Sequence, residues 1–90
     1  MSIEDWRRRI DDIDRKLLEL LNERSRCAIE IGKIKRAQNV GVHDPERESE
    51  ILRRMKAENR GPLDEEGLQR LFEQVIGECR RIETILGETK

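Results

Sequence analysis

The sequence predicts an all-α fold of three helices, the first much longer than the other two. Three observations carry that expectation. Apolar residues recur at helical spacing through the first third of the chain. Two helix-start signals, Asp44-Pro45-Glu46 and Asp64-Glu65-Glu66, each follow a loop punctuated by Gly or by Gly and Pro. No segment alternates apolar and polar residues with the period of a strand. Ninety residues make one small domain, 1–90, without repeats or low-complexity segments.

Helix 1 is expected from Ile3 or Asp5 to Ala37. Its stripe runs Trp6, Ile10, Ile13, Leu17, Leu20, then Cys27, Ile31 and Ile34, with spacings of four and three until position 24 interrupts it. The one internal glycine, Gly32, is tolerated at modest cost. A helix of ~32 residues is ~48 Å long, whereas a compact globule of this size is roughly 30 Å across. Helix 1 therefore overhangs its own chain while its stripe continues to both ends. An antiparallel two-fold homodimer, each helix 1 packing on the other chain, resolves the conflict with one type of interface. Helix 2 takes Asp44 as N-cap and Pro45 as first residue, turns Ile51, Leu52 and Met55 inward, and stops near Glu58 before Asn59-Arg60-Gly61-Pro62. Helix 3 opens at Asp64-Glu65-Glu66 and ends near Gly87, with Leu68, Leu71, Phe72, Val75, Ile76, Cys79, Ile82 and Leu86 on its apolar face.

Composition excludes several classes of function. Only 34% of residues are hydrophobic and 43% are charged, so a lone chain buries a thin core, for which oligomerisation is a common remedy. Nineteen basic against 20 acidic residues leave no basic field, and Trp6 and Phe72 alone give no stacking platform, which argues against nucleic acid. No run approaches a membrane span, and the acidic start has no apolar leader. Cys27 and Cys79 lie in helical patterns without metal-ligand spacing. They read as buried free thiols in a reducing, cytoplasmic setting. Nothing suggests a metal site, a cofactor loop or a nucleophile triad.

The break in the stripe is the first sign of chemistry. Arg24 occupies an apolar position, and Lys35 follows eleven residues later on nearly the same bearing, beside Ile31. Two cations facing a helical core need an anion to offset their desolvation. No acid lies on that bearing between them, so they read as a site for a small multiply charged anion such as a dicarboxylate. The competing reading pairs Arg24 with an acid from another helix. Arg7 lies seventeen residues before Arg24, ~26 Å along the helix. It can reach that region only from the opposite chain of an antiparallel dimer, and Arg7-Arg8-Arg9 otherwise reads as a solvated face. Glu83, at the edge of the helix 3 apolar face, is a carboxyl whose pKa apolar walls raise, making it a proton donor. Otherwise it pairs with Arg80 or Lys90. Arg47 and Glu48 sit in the first turn of helix 2 after Asp44, where free N–H groups meet anions or hydroxyls, or where they serve only as a cap and surface pairs. His43, the single histidine, reads as a loop residue.

Together these residues resemble the all-helical chorismate mutases, which occur alone or fused to a further pathway enzyme such as a prephenate dehydratase. The resemblance spans roughly Trp6 to Leu86. It rests on Arg7-x-x-Ile10-x-x-Ile13-Asp14, Leu17-Leu18-x-Leu20-Leu21-x-x-Arg24, Ala28-x-x-Ile31-Gly32-x-x-Lys35, Asp44-Pro45-x-Arg47-Glu48 and Leu71-Phe72-x-x-Val75-Ile76. It implies an intertwined helical homodimer with two sites, each built from both chains. The implied reaction is the cofactor-free Claisen rearrangement of chorismate to prephenate, on the route to phenylalanine and tyrosine.

The resemblance also implies roles. Arg24, and Arg7 from the other chain, would hold the two carboxylates, with Arg47 near the ring carboxylate. Lys35 would bridge a carboxylate and the ether oxygen, and Glu83 would donate a second hydrogen bond to that oxygen. Glu48 would accept from the ring hydroxyl with the Asp44 backbone beside it. Ile31, Ile51 and Ile76 would form apolar walls. Cys79 departs from the pattern, standing where some relatives carry a serine, and a thiol is a weaker donor. Two other readings compete: an isochorismate-pyruvate lyase on the same scaffold, and a catalytically silent dimerisation module. Neither needs a cofactor, and the module does not explain why these charges arrive together.

Overall fold

The computed structural model describes residues 1–88 and consists of three helices, α1 (Ile3–Ala37), α2 (Pro45–Glu58) and α3 (Glu65–Glu88), with no strand among the described residues. Helix α1 starts with a capping box. Ser2 Oγ accepts from the Asp5 backbone N–H at 3.2 Å, and the Asp5 carboxylate accepts from the Ser2 N–H at 3.0 Å. Hydrogen bonds donated by the Ser2 N–H and hydroxyl to the Asp5 carboxylate hold it below its usual value. The helix ends at Gln38, and Asn39 takes a left-handed conformation (φ 57°) that asparagine tolerates. Helix α2 starts as expected. Asp44 Oδ1 accepts from the Arg47 N–H at 3.1 Å, and Pro45 fills the first helical position. Asp64 does the same for α3, accepting from the Gly67 N–H at 2.6 Å. The turn between α2 and α3 is held by Asn59, whose side chain donates to the Leu63 carbonyl and accepts from the Gly61 N–H.

Helix α3 packs against both α1 and α2. The α1 residues turned toward it are Leu21, Ser25, Ala28 and Gly32, at spacings of four, three and four. That face lies roughly a quarter-turn from the Trp6–Ile34 stripe, at ~100° per residue. The stripe itself is left bare: Trp6, Ile10, Ile13, Leu17, Leu20, Ile31 and Ile34 are all at least half exposed. Cys27 shares this fate. It is exposed rather than buried, because its bearing belongs to the stripe and not to the face meeting α3. Cys79 is buried as expected. The core of the single chain is small, comprising Ile51, Leu68, Ile76 and Cys79, while Leu71 and Leu86 on α3 stay half exposed.

The overhang predicted for helix 1 is present. The molecule measures 54 × 28 × 15 Å with a radius of gyration of 16.1 Å, against ~12 Å for a compact chain of this length. Helix α3 covers the second half of α1, while the first half is exposed almost throughout among the described residues. Among the described residues, no helix is long and apolar enough to cross a membrane.

Candidate active site

One cleft gathers most of the residues singled out in the sequence. Arg24, Ala28, Ile31 and Lys35 line it from α1, Val42 and Asp44 from the loop, Arg47, Glu48 and Ile51 from α2, and Ile76, Cys79, Arg80 and Glu83 from α3. Its volume is about 260 Å³. This is just below the ~300–1,000 Å³ typical of drug-sized ligands, so it suits a small molecule. The α1 contribution follows from periodicity, since positions 24, 28, 31 and 35 fall on one face. The α2 contribution follows from the Asp44 cap, which fixes the first turn and with it Arg47 and Glu48.

The cations are held differently. Arg24 is half-buried and has no salt-bridge partner among the described residues, so the competing interhelical pairing is not formed. Lys35 Nζ donates to the Val42 carbonyl at 3.1 Å, which ties it to the loop, and it forms no salt bridge among the described residues. Arg47 reaches Glu50 at 2.7 Å, an exposed pair within one turn of helix and a weak restraint. Arg7 is not in this cleft. It lies near the start of α1, about 69% exposed and 3.6 Å from Glu4. Its neighbours are equally local: Arg8 meets Asp5 at 3.5 Å, and the Arg9 guanidinium lies 5.6 Å from the Trp6 ring centroid.

Glu83 is the one buried charged residue identified, 8% exposed, and its Oε1 has no hydrogen-bond partner among the described residues. Burial pushes its carboxyl above the usual value, and Lys35 and Arg36 partly oppose the rise. Gly32 explains how the carboxyl fits. A Cβ at position 32 would stand 2.6 Å from Glu83 Cγ, so the bare α1 backbone is the floor on which the side chain lies. The alternative pairing of Glu83 with Arg80 is not formed, because Arg80 Nη1 binds Glu48 Oε2 at 2.6 Å. Lys90 lies outside the described residues. Cys79 Sγ is 3.7 Å from Ser25 Oγ, whose own proton goes to the Leu21 carbonyl at 2.9 Å. That contact gives the thiol a partner on α1.

Comparisons with known proteins identify the family. Residues 6–84 match the family model described as chorismate mutase type II. The chain belongs to the type II chorismate mutase family. It is 41% identical over 83 residues to a bifunctional chorismate mutase/prephenate dehydratase of Pseudomonas aeruginosa, a match covering 86% of this chain and 22% of the relative. It therefore spans about a fifth of the length of such bifunctional relatives. Two solved mutases share its fold. One, chorismate mutase (form II) from Thermus thermophilus, superposes with a TM-score of 0.90 at 34% identity, covering 91% of this chain and 93% of the other. The second, from Helicobacter pylori in complex with prephenate, superposes at 0.88 with 32% identity, covering 98% and 97%.

Within this mutase fold the sequence reasoning missed two features. Arg80 lines the cleft, whereas the sequence offers it only as a partner for Glu83. The signal was available, since Ile76, Arg80 and Glu83 fall at i, i+4 and i+7 on one face of α3. The Val42 carbonyl carries no side-chain signal at all.

Proposed function

We propose that this chain rearranges chorismate to prephenate, as a single helical domain in an intertwined homodimer. The observation that carries the reading is the cleft itself: Arg24 and Lys35, neither in a salt bridge among the described residues, share it with Arg47 and the buried Glu83, whose pKa is raised. A dicarboxylate satisfies the cations. An oxygen that gains negative charge satisfies the proton on Glu83.

The reaction is intramolecular. The ether C–O bond breaks as a C–C bond forms, so the protein must hold the dianion in its reactive fold and stabilise charge building on the ether oxygen. Arg24 and Arg47 hold carboxylates. Lys35 spans a carboxylate and the ether oxygen, and protonated Glu83 donates to the same oxygen. Both contacts strengthen as that oxygen becomes anionic, which lowers the barrier rather than merely tightening substrate binding. Glu48 accepts from the ring hydroxyl beside the Asp44 backbone, and Ile31, Ile51 and Ile76 exclude water. The contact assigned to Cys79 is weak, given its commitment to Ser25.

Dimerisation is supported by area. The chain exposes 7503 Å², some 2,000 Å² more than the ~5,500 Å² expected of a folded monomer of this mass. The α1 stripe, with Trp6, Ile10, Ile13, Leu17 and Leu20 at least half exposed, is the apolar surface such a partner would cover, and pairing two stripes antiparallel brings Arg7 of the partner subunit toward each cleft. The free thiols of Cys27 and Cys79 fit a reducing cytoplasm.

The test is to follow the loss of chorismate ultraviolet absorbance at several pH values and identify the product. Prephenate formation, abolished by Arg24→Ala, is expected. Release of pyruvate from isochorismate without prephenate formation from chorismate would assign a lyase. No turnover, with no melting shift from a chorismate-like dicarboxylate, would assign a dimerisation module.

A further inference from the structure

The Arg80–Glu48 pair stands apart from the other ion pairs. The Arg and Lys pairs otherwise found among the described residues join positions three or four apart on one helix. Arg80 instead reaches from α3 to the first turn of α2, 32 residues away in sequence, at 2.6 Å. Both side chains line the cleft, and Glu48 is only 25% exposed. The contact is made to Oε2, the same oxygen that His43 Nε2 approaches at 3.8 Å, so Oε1 is left unengaged among the described residues.

We propose that Arg80 is a positioning residue that fixes Glu48 with one carboxylate oxygen aimed into the cleft, and so sets the preference of the site for a ring bearing a hydroxyl group. The inference rests on the dicarboxylate reading above and deepens it. A site that binds a dianion is hostile to a further carboxylate, since the ligand repels Glu48 outward. A displaced Glu48 cannot serve as hydroxyl acceptor. The Arg80 guanidinium opposes that displacement. It offsets the Glu48 charge locally and locks its rotamer through a charge-assisted bond. Oε2 is spent on that bond and Oε1 is reserved for the hydroxyl. A site built to bond a hydroxyl discriminates against the analogue lacking it, because its own acceptor is then left unpaired.

The experiment uses the full chain, turnover of chorismate, and a matched pair of non-reacting dicarboxylate analogues that differ only in the ring hydroxyl. The wild-type chain should bind the hydroxylated member about tenfold tighter or more. Arg80→Gln should lower kcat/KM by about 10- to 100-fold, erase the preference, and leave binding of the deoxy member unchanged. Arg80→Lys, which keeps the charge but not the fork, should recover part of the preference, and it serves as the test if the glutamine variant does not fold. Adding Arg80→Gln to Glu48→Gln should cost nothing further if the two act as one unit. Equal weakening of both analogues would make Arg80 a direct carboxylate ligand and overturn the proposal. A preserved preference in both Arg80 variants would overturn it as well. A wild-type chain that neither turns over chorismate nor binds either analogue would instead remove the functional reading beneath it.

Discussion

Replacing Gly32 with alanine adds one methyl group between the α1 backbone and the Glu83 side chain. In an open helix interior the change stabilises by ~1 kcal/mol. Here the new Cβ would lie 2.6 Å from Glu83 Cγ and 3.5 Å from both Cδ and the Glu83 carbonyl oxygen. Carbon–carbon contacts prefer ~3.5–4.0 Å, so Cγ must retreat by about 1 Å. Overpacking of this kind costs ~1–3 kcal/mol, which leaves a net loss of roughly 0–2 kcal/mol, small enough for the chain to fold. The catalytic cost should be larger, because a proton donor displaced by about 1 Å costs on the order of 100-fold in rate. Steady-state kinetics on chorismate beside thermal melting separates the two effects. In a Glu83→Ala background the clash is gone, and Gly32→Ala should there raise the melting temperature. A Gly32→Ala chain that turns over chorismate at the wild-type rate would refute the argument that this glycine seats the carboxyl.

Glu83 donates only when protonated, so activity should fall as pH rises through its raised pKa, and Glu83→Gln, a donor at every pH, should flatten the profile. An unchanged profile would remove Glu83 from the mechanism. The same shift bears on folding. The folded chain holds this proton more tightly than the unfolded chain, so the cost of burying the carboxylate is absent in acid and grows as pH rises above the unfolded value. Glu83→Gln should therefore melt higher than wild type at neutral pH, the difference closing in acid. Lys35→Ala should lose ~10²–10³ in kcat, by analogy with removal of an oxyanion-hole donor. Arg7→Ala and Arg24→Ala chains should each be inactive alone. Refolded together in equal amounts, half the dimers are mixed, and each mixed dimer restores one of its two sites, giving about a quarter of wild-type activity. No recovery would place Arg7 outside the site.

What was legible in the sequence was local. The extent of α1, the Asp44 cap and the stop at Asn59 follow from residues within a turn of one another. Arg24 and Lys35 were legible as charges interrupting or flanking an apolar stripe. The face of α1 that meets α3 was not, because Leu21, Ser25, Ala28 and Gly32 are mostly small or polar, and the stronger Trp6–Ile34 pattern outweighs them. Cys27 is exposed against expectation for that reason. Gly32 looked like a tolerated defect because its use depends on a side chain 51 positions away. Arg36 as a neighbour of Glu83, and Arg80 as the partner of Glu48, depend on how α3 is rotated in the bundle, which periodicity alone does not determine.

The bare first half of α1 has a consequence for dilution. If Arg7 of a second chain completes the cleft, as proposed, the full site exists only at concentrations where the chains associate. Below the dimer dissociation constant, rate per chain should fall in proportion to concentration, and the initial velocity should become second order in protein. Specific activity measured at one enzyme concentration would then describe the association equilibrium as much as the chemistry. Any variant that trims the stripe, Leu20→Lys for instance, would mimic an active-site lesion without touching a residue that meets the substrate.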